Sequence, residues 1–158
     1  MTVDSCAWHH HHMADQLFVA AQMQRACSIS SMTYTQWRAR GYIHSRYKST
    51  GTGDPQRYDL SEVLAVAVMA RLVDLGIQLS VAHAHTAADG LILRKLPSGG
   101  SERTFLLLEI VTQDGEKGVR SRILTERKFS AELQRCGGGV FVCVSDIDAE
   151  VRTALGIE

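Results

Sequence analysis

The chain has 158 residues, enough for one domain or for two small ones that share a core. Hydrophobic residues make up 45% of it, charged residues 22%, the formal net charge is zero and only two prolines occur, so the composition is not that of a disordered protein. Its longest apolar stretches, near residues 63–70 and 105–111, are far shorter than the roughly 20 residues that span a bilayer, and we expect no membrane segment.

The start of the chain has the features of an expression tag. Residues 1–12 include four consecutive histidines, and Met13 follows them as a native start would. A native metal-binding histidine tract is the alternative. No secretory signal pattern opens the chain, and the odd number of cysteines after the tag argues against a disulfide framework. We therefore predict a cytoplasmic protein.

Two short helices are predicted next. A loosely helical apolar pattern covers residues 19–26. Either Ser28 or Ser30 can cap a second helix over residues 31–40, and Gly41 is a suitable residue to end it, because glycine tolerates positive φ.

A hairpin and two further helices follow. Residues 43–47 and 56–58 resemble short strands on either side of the turn-rich residues 49–55, which predicts a wing. Asp59 and Glu62 have the spacing of a capping box, and an almost entirely apolar helix runs from there to Gly76. Another helix is predicted over residues 79–90.

After residue 90 the pattern changes to strands, at residues 91–96, 104–112 and 118–124. The last two flank Asp114-Gly115, a strong hairpin turn. A helix at residues 128–135, a strand at residues 140–144 and a final helix opened by Ser145 and Asp148 complete the prediction.

Residues 18–43, FVAAQMQRACSISSMTYTQWRARGYI, resemble the start of MerR-family proteins, with a short helix, a serine-bearing turn, an aromatic-containing recognition helix and an exit at Gly41. The resemblance continues in residues 56–60, QRYDL, and in residues 71–79, RLVDLGIQL, and it covers about half of the chain. Ser28 stands where the family usually has glycine. The resemblance implies a winged helix-turn-helix that binds double-stranded DNA.

Charge is distributed unevenly along the chain. Between residues 17 and 58 the basic residues face a single acidic one, Asp54, whereas the rest of the chain is slightly acidic. A one-sided basic segment is typical of a surface that binds phosphates, although a solvated protein face is the simpler alternative.

The predicted DNA contacts fall into two sets. In the recognition helix Tyr34 and Trp37 are three residues apart and should face inward, with Tyr58 in the same core. The residues left to face the major groove are Ser31, Met32, Thr35, Gln36, Arg38 and Arg40. The residues expected at the phosphate backbone or minor groove, in the wing, are His44, Arg46, Tyr47, Lys48 and Arg57.

Apart from the histidine tract of the predicted tag, motifs of catalysis, metal binding or cofactor binding do not occur in this sequence. The glycines at 137–139 lack the lysine and hydroxyl residue of a phosphate-binding loop, and no serine-hydrolase or zinc-protease motif is present. We therefore expect no enzyme activity, no metal and no cofactor. Cys136, beside the three glycines, is the single candidate for an exposed reactive thiol.

Together these features predict an α+β protein with a MerR-like winged helix-turn-helix at residues 13–90 and a small mixed-sheet module with two short helices at residues 91–158. The predicted function is a homodimeric, sequence-specific transcription regulator whose C-terminal module dimerises or binds a small-molecule or protein effector. Two alternatives remain open: an architectural protein of phage or plasmid DNA, acting in packaging or partition, and a ligand- or partner-binding protein with a degenerate helix-turn-helix.

Overall fold

The computed structural model describes residues 16–47, 51, 53–87, 102–113, 116–136 and 138–157. The predicted tag, the predicted strand at residues 91–96 and the Asp114-Gly115 turn lie outside these residues, as does Lys48 of the predicted wing.

The N-terminal part consists of four helices and a minimal two-stranded sheet. Its elements are β1 (Phe18–Val19), α1 (Ala20–Ala26), α2 (Ser31–Ala39), β2 (Arg57–Tyr58), α3 (Leu60–Asp74) and α4 (Leu79–Ala87). The four predicted helices are confirmed, with ends that differ from the prediction by one residue at α1 and α2. The structure places the end of α4 at Ala87, and residues 88–90 are not described.

The capping predictions for these helices are also confirmed. Ser30, rather than Ser28, caps α2, and its hydroxyl oxygen accepts from the Thr33 amide at 3.0 Å. At the start of α3 the Asp59 carboxylate accepts from the Glu62 amide at 2.8 Å, while the Glu62 carboxylate accepts from the Asp59 amide at 3.0 Å. Each contact satisfies an amide that has no partner within its own helix.

Helices α1, α2 and α3 end in the same way, with a residue in the left-handed region. In α1 the amides of Ser28 and Ile29 donate back to carbonyls of the last turn, at 3.1 and 3.0 Å. Gly41 and Gly76 take the equivalent place after α2 and α3, with φ of +76° and +87°. Ser28 adopts φ of +55°, and it is the only non-glycine residue with positive φ in the part of the chain that the structure describes. A side chain is disfavoured there, which explains why a glycine is expected at this position.

The predicted strand pairing of the wing is wrong. Residues 43–47 form bends and no strand, and β2 pairs instead with β1, in the antiparallel register Phe18↔Tyr58 and Val19↔Arg57. The two limbs of the predicted wing are joined by side chains: the Ser45 hydroxyl accepts from the Tyr47 amide at 2.9 Å and donates to the Arg57 carbonyl. These bonds occupy backbone groups that a strand ladder would have used.

The C-terminal part is a three-stranded antiparallel sheet with two helices. Its elements are β3 (Thr104–Gln113), β4 (Glu116–Thr125), α5 (Glu126–Arg135), β5 (Gly139–Cys143) and α6 (Val144–Leu155), and the strand order is β4-β3-β5. The hairpin β3–β4 extends past β5, because the pairing of β3 with β5 ends at Glu109 whereas that with β4 continues to Gln113. The predicted hairpin, strand and helices are confirmed. The predicted mixed sheet is wrong for the described strands, because both pairings of β3 are antiparallel.

The predicted role of Ser145 as a helix cap is wrong. Helix α6 begins at Val144, so Ser145 lies in its first turn, and the residue at the cap position, Cys143, makes no side-chain capping bond. The Ser145 hydroxyl instead accepts from the Thr104 amide at 2.9 Å. It therefore ties the start of α6 to the start of β3.

One hydrophobic core extends through both parts. Helix α6 packs against α1 and α3, and Val144, Ile147 and Val151 are buried in the same cluster as residues of α3. Leu106 and Val142 join this cluster from the sheet. The chain therefore has a mixed α+β fold, as predicted, in which the core crosses residue 90.

Candidate nucleic-acid interface

Helix α2 is fixed by the two aromatic side chains on its inward face. Tyr34 and Trp37 are each only 7% exposed, which confirms the predicted orientation of the helix. The Tyr34 hydroxyl lies 2.6 Å from the hydroxyl of Tyr58, which is fully buried, so α2 is bonded to β2 through the core. Burial, together with the bond to Tyr34, raises the pKa of Tyr58 above its ordinary value, and the phenol stays protonated.

Helix α1 is joined to α3 at its C-terminal end. The Cys27 thiol at its end is buried and donates to the Val63 carbonyl of α3 at 3.3 Å, and burial raises its pKa to about 12. This thiol is a packing group, as its place at the end of an apolar helix predicts.

The outward face of α2 is open. All six residues predicted to face the major groove are exposed: Ser31, Met32, Thr35, Gln36, Arg38 and Arg40. Met32 is 72% exposed. No described part of the chain therefore covers this face.

Two hydroxyl groups on this face are already used inside the protein. The Ser31 hydroxyl donates to the Gln24 side-chain oxygen of α1 at 2.8 Å. The Thr35 hydroxyl donates to the Ser31 carbonyl, also at 2.8 Å. Each hydroxyl has a single proton, so neither can donate to a ligand without breaking an internal bond.

The predicted wing lies next to α2. The Arg38 guanidinium donates to the Gln56 side-chain oxygen at 3.1 Å, and the Gln56 amide nitrogen donates to the Tyr47 carbonyl at 3.2 Å. His44, Tyr47 and Arg57 are exposed. Gln56 thus joins the predicted wing, at Tyr47, to the predicted recognition helix, at Arg38.

Arg46 is engaged differently from the prediction. Its guanidinium lies 3.1 Å from the Asp59 carboxylate and 3.4 Å from that of Glu62, and its backbone amide donates to Glu62 at 2.8 Å. The two capping carboxylates of α3 thus fix Arg46 of the predicted wing and balance the charge of its guanidinium. The sequence contained both carboxylates, but their spacing indicated only a helix cap.

No family model matches this chain, and no curated protein matches it. Among the residues that the structure describes, no helix combines the length and apolarity needed to cross a bilayer.

A partly buried ionic cluster lies away from this surface, between the sheet and α5. Glu109 is 8% exposed, and its carboxylate lies 2.9 Å from the Arg122 guanidinium, which also lies 2.8 Å from the Glu132 carboxylate. The half-buried Cys136 thiol donates to Glu109 at 2.8 Å, and this bond raises the pKa of Cys136. Cys136 is thus the opposite of an activated thiol. A lone carboxylate in an apolar strand was the sequence signal for this cluster.

A cleft of about 390 Å³ separates α4 from the sheet. Its walls are mostly apolar, formed by Ile77 and Val81 on one side and by Leu108, Val119 and Val140 on the other. This volume is within the range of roughly 300–1,000 Å³ that small-molecule sites occupy.

Proposed function

We propose that this protein is a sequence-specific, double-stranded-DNA-binding transcription regulator of the MerR type, acting as a homodimer. The observation that supports the proposal best is the division of α2 into an anchored aromatic face and an uncovered outward face. A helix held in this way can enter the major groove without rearranging its own support. The resemblance of residues 18–90 to MerR proteins points to the same function, and a DNA-binding role agrees with the predicted cytoplasmic location.

The basic side chains have separate roles in this proposal. Arg40 and Arg57 are exposed, carry no ion pair in the part of the chain that the structure describes, and are the cations best placed to bind phosphates. Arg38, held by Gln56, links helix and wing and can extend to the backbone or to a guanine. Arg46 is a positioning residue, because its charge is balanced by Asp59 and Glu62.

We place the dimer contact at the free edge of β5. Among the described residues β5 pairs on one side only, and its sequence GVFVC carries no charge. The other edge, β4, carries Lys117, Arg120 and Arg122, and charged side chains protect an edge strand from pairing. A two-fold axis at Phe141, which is 44% exposed, would pair β5 of one protomer with β5 of the other. No like charges would face each other across this pair, because β5 carries none.

The apolar cleft between α4 and the sheet is where an effector would bind. A regulator of this kind responds when a ligand stabilises one arrangement of its DNA-binding units over another. An architectural protein needs no such response. The two functions differ in DNA occupancy: a regulator protects a short operator, whereas an architectural protein covers many sites.

Selection of binding sequences from a random duplex library, followed by titration at several salt concentrations, tests the proposal. We expect Arg40→Ala to weaken binding to all duplexes and to lower the salt slope by about 1, as the loss of one phosphate contact does. Gln36→Ala should weaken binding to the selected site by about 1–3 kcal/mol and leave non-specific binding unchanged. Lys128→Ala, which removes an exposed charge from α5, is the matched control.

Two results contradict the proposal. The first is the absence of any enriched sequence together with no measurable duplex affinity at low salt. The second is equal weakening by Arg40→Ala and Lys128→Ala, which would mean that only net charge matters.

Sedimentation tests the dimer contact. Phe141→Lys places two like charges on the proposed axis and should shift the protein to monomer, while Ile110→Lys, on the 73% exposed residue of β3, should not. If both variants sediment as the wild type does, the contact lies elsewhere. A wild-type protein that is monomeric both free and on DNA removes the homodimer from the proposal.

A further inference from the structure

The outward face of α2 carries an unusual combination of side chains. Met32, Thr35 and Gln36 occupy positions i, i+3 and i+4, so they lie next to one another along the helix surface. All three are exposed, and none of them is charged. The centre of the proposed DNA-binding face is therefore neutral, with the basic residues at its end.

Internal hydrogen bonds use the hydroxyl protons of this face, so it offers a ligand fewer donors than its sequence suggests. The proton of the Thr35 hydroxyl is donated to the Ser31 carbonyl, so towards a ligand this side chain offers its methyl group and an oxygen that can only accept. The Ser31 proton is likewise donated to Gln24. What remains for a ligand is a thioether, a methyl group, one carboxamide and two hydroxyl oxygens that can accept but not donate.

Apolar groups are rare on the surface that such a helix would meet. In the major groove every base presents hydrogen-bond donors or acceptors, and the single apolar group is the C5-methyl of thymine. An apolar side chain placed against any other base edge would desolvate a polar atom without replacing its hydrogen bond. The carboxamide of Gln36 matches adenine, which can bond to it through N6 and N7.

We propose that Met32 and Thr35 recognise thymine C5-methyl groups in the DNA site, beside an adenine bound by Gln36. This inference rests on the proposed function and specifies its ligand: a half-site that contains A·T pairs and is identified by methyl groups. Met32 supplies most of the apolar contact, because its thioether is flexible, polarizable and 72% exposed.

Replacing thymine by uracil in the selected duplex removes the methyl group and keeps every hydrogen-bonding atom. Each thymine of the site is replaced in turn, and affinity is measured by fluorescence anisotropy for the wild type, Met32→Ala and Met32→Leu. We expect replacement of the contacted thymines to weaken wild-type binding by about fourfold each, the effect of burying one methylene-sized group. Met32→Leu should keep this discrimination, and Met32→Ala should lose most of it at one position.

Leu75→Ala serves as the matched control, because Leu75 is another exposed apolar residue, 51% exposed at the end of α3. It should bind thymine and uracil duplexes with the wild-type ratio. Circular dichroism of each variant establishes that the fold is retained.

The outcomes separate this inference from the function on which it rests. If the wild type binds the selected site, Gln36→Ala weakens that binding and no uracil replacement has an effect, the methyl contact is wrong and the function stands. If uracil weakens the wild type and Met32→Ala equally, the assignment to Met32 is wrong. If no duplex binds at all, the proposed function itself fails.

Discussion

The bond between Tyr34 and Tyr58 can be tested by a double-mutant cycle. The two hydroxyl oxygens are 2.6 Å apart, and in the described part of the chain each has the other as its only hydrogen-bond partner. Replacing one tyrosine by phenylalanine leaves the ring in place and the remaining hydroxyl buried without a partner. Replacing both removes the two polar groups together.

The magnitude follows from the burial of each hydroxyl. An unpaired buried polar group costs about 1–3 kcal/mol, whereas removing both partners is close to neutral. Tyr34→Phe strands the hydroxyl of Tyr58, a residue with no exposed surface, so its cost should lie near the upper limit. Tyr58→Phe strands that of Tyr34, which is 7% exposed and nearer to water, so its cost should be smaller. Because the double variant should be close to neutral, it should lose less than the two single variants combined, by about 2–6 kcal/mol, the sum of their separate costs.

Urea denaturation of the four proteins measures these free energies of unfolding, with equal m-values as the requirement for comparing them. If the two hydroxyls are bonded, Tyr34→Phe should be the least stable variant, Tyr58→Phe should be more stable, and the double variant should be the most stable of the three. Strictly additive losses, or single variants as stable as the wild type, would show that the two hydroxyls do not depend on each other and would remove the proposed link between α2 and β2.

Three further predictions concern stability. Ser28→Gly should raise the free energy of unfolding by about 0.5 kcal/mol in urea denaturation, because the strain of a side chain at positive φ exceeds the added entropy of glycine in the unfolded chain; a loss would contradict this. Gly139→Ala should lower the free energy of unfolding by about 1–3 kcal/mol, and the melting temperature with it, because the added Cβ would lie 2.8 Å from a backbone oxygen of β3. Gly118→Ala is the control: a Cβ added there would have no atom within 4 Å, so the melting temperature should change little. The bond from the Cys136 thiol and the nearby arginines hold the pKa of Glu109 below its ordinary value of 4.5. The ionised Glu109 therefore stabilises the fold fully above that pH, and this stabilisation is lost as the pH falls through the lower pKa of the folded state. In a plot of the free energy of unfolding against pH, Glu109→Gln should reduce the loss of stability in acid.

The helices could be predicted because their ends are specified locally. Gly41 and Gly76 end α2 and α3, and Asp59 with Glu62 begins α3, each through bonds within a few residues. The inward face of α2 followed from a spacing of three residues between aromatic side chains. Such signals depend on the geometry of a single turn. The predicted cap at Ser145 failed because its hydroxyl accepts from the distant Thr104 amide instead.

Contacts between distant residues were not predictable in the same way. The strand partner of Arg57 is Val19, and neither two-residue strand carries a pattern that identifies the other. The role of Arg46 depends on two carboxylates that the sequence had already assigned to a helix cap. A basic segment predicts phosphate contacts only for the side chains that are not already paired with acidic residues of the same protein, and the sequence does not show that pairing.

The sequence contained a feature, not used in the prediction, that indicates packing between the two parts of the chain. Helix α3 is apolar around most of its circumference, and a helix of this kind must be covered on all sides. The helices before residue 90 cover only part of it, and α6 packs against it from the C-terminal part. The boundary at residue 90 remains a prediction about folding units, but the core that crosses it has a consequence for the proposed function. Because α6 also contacts α1, and Gln24 of α1 is bonded to Ser31 of α2, the C-terminal part is joined to the proposed DNA-binding face by contacts of the fold.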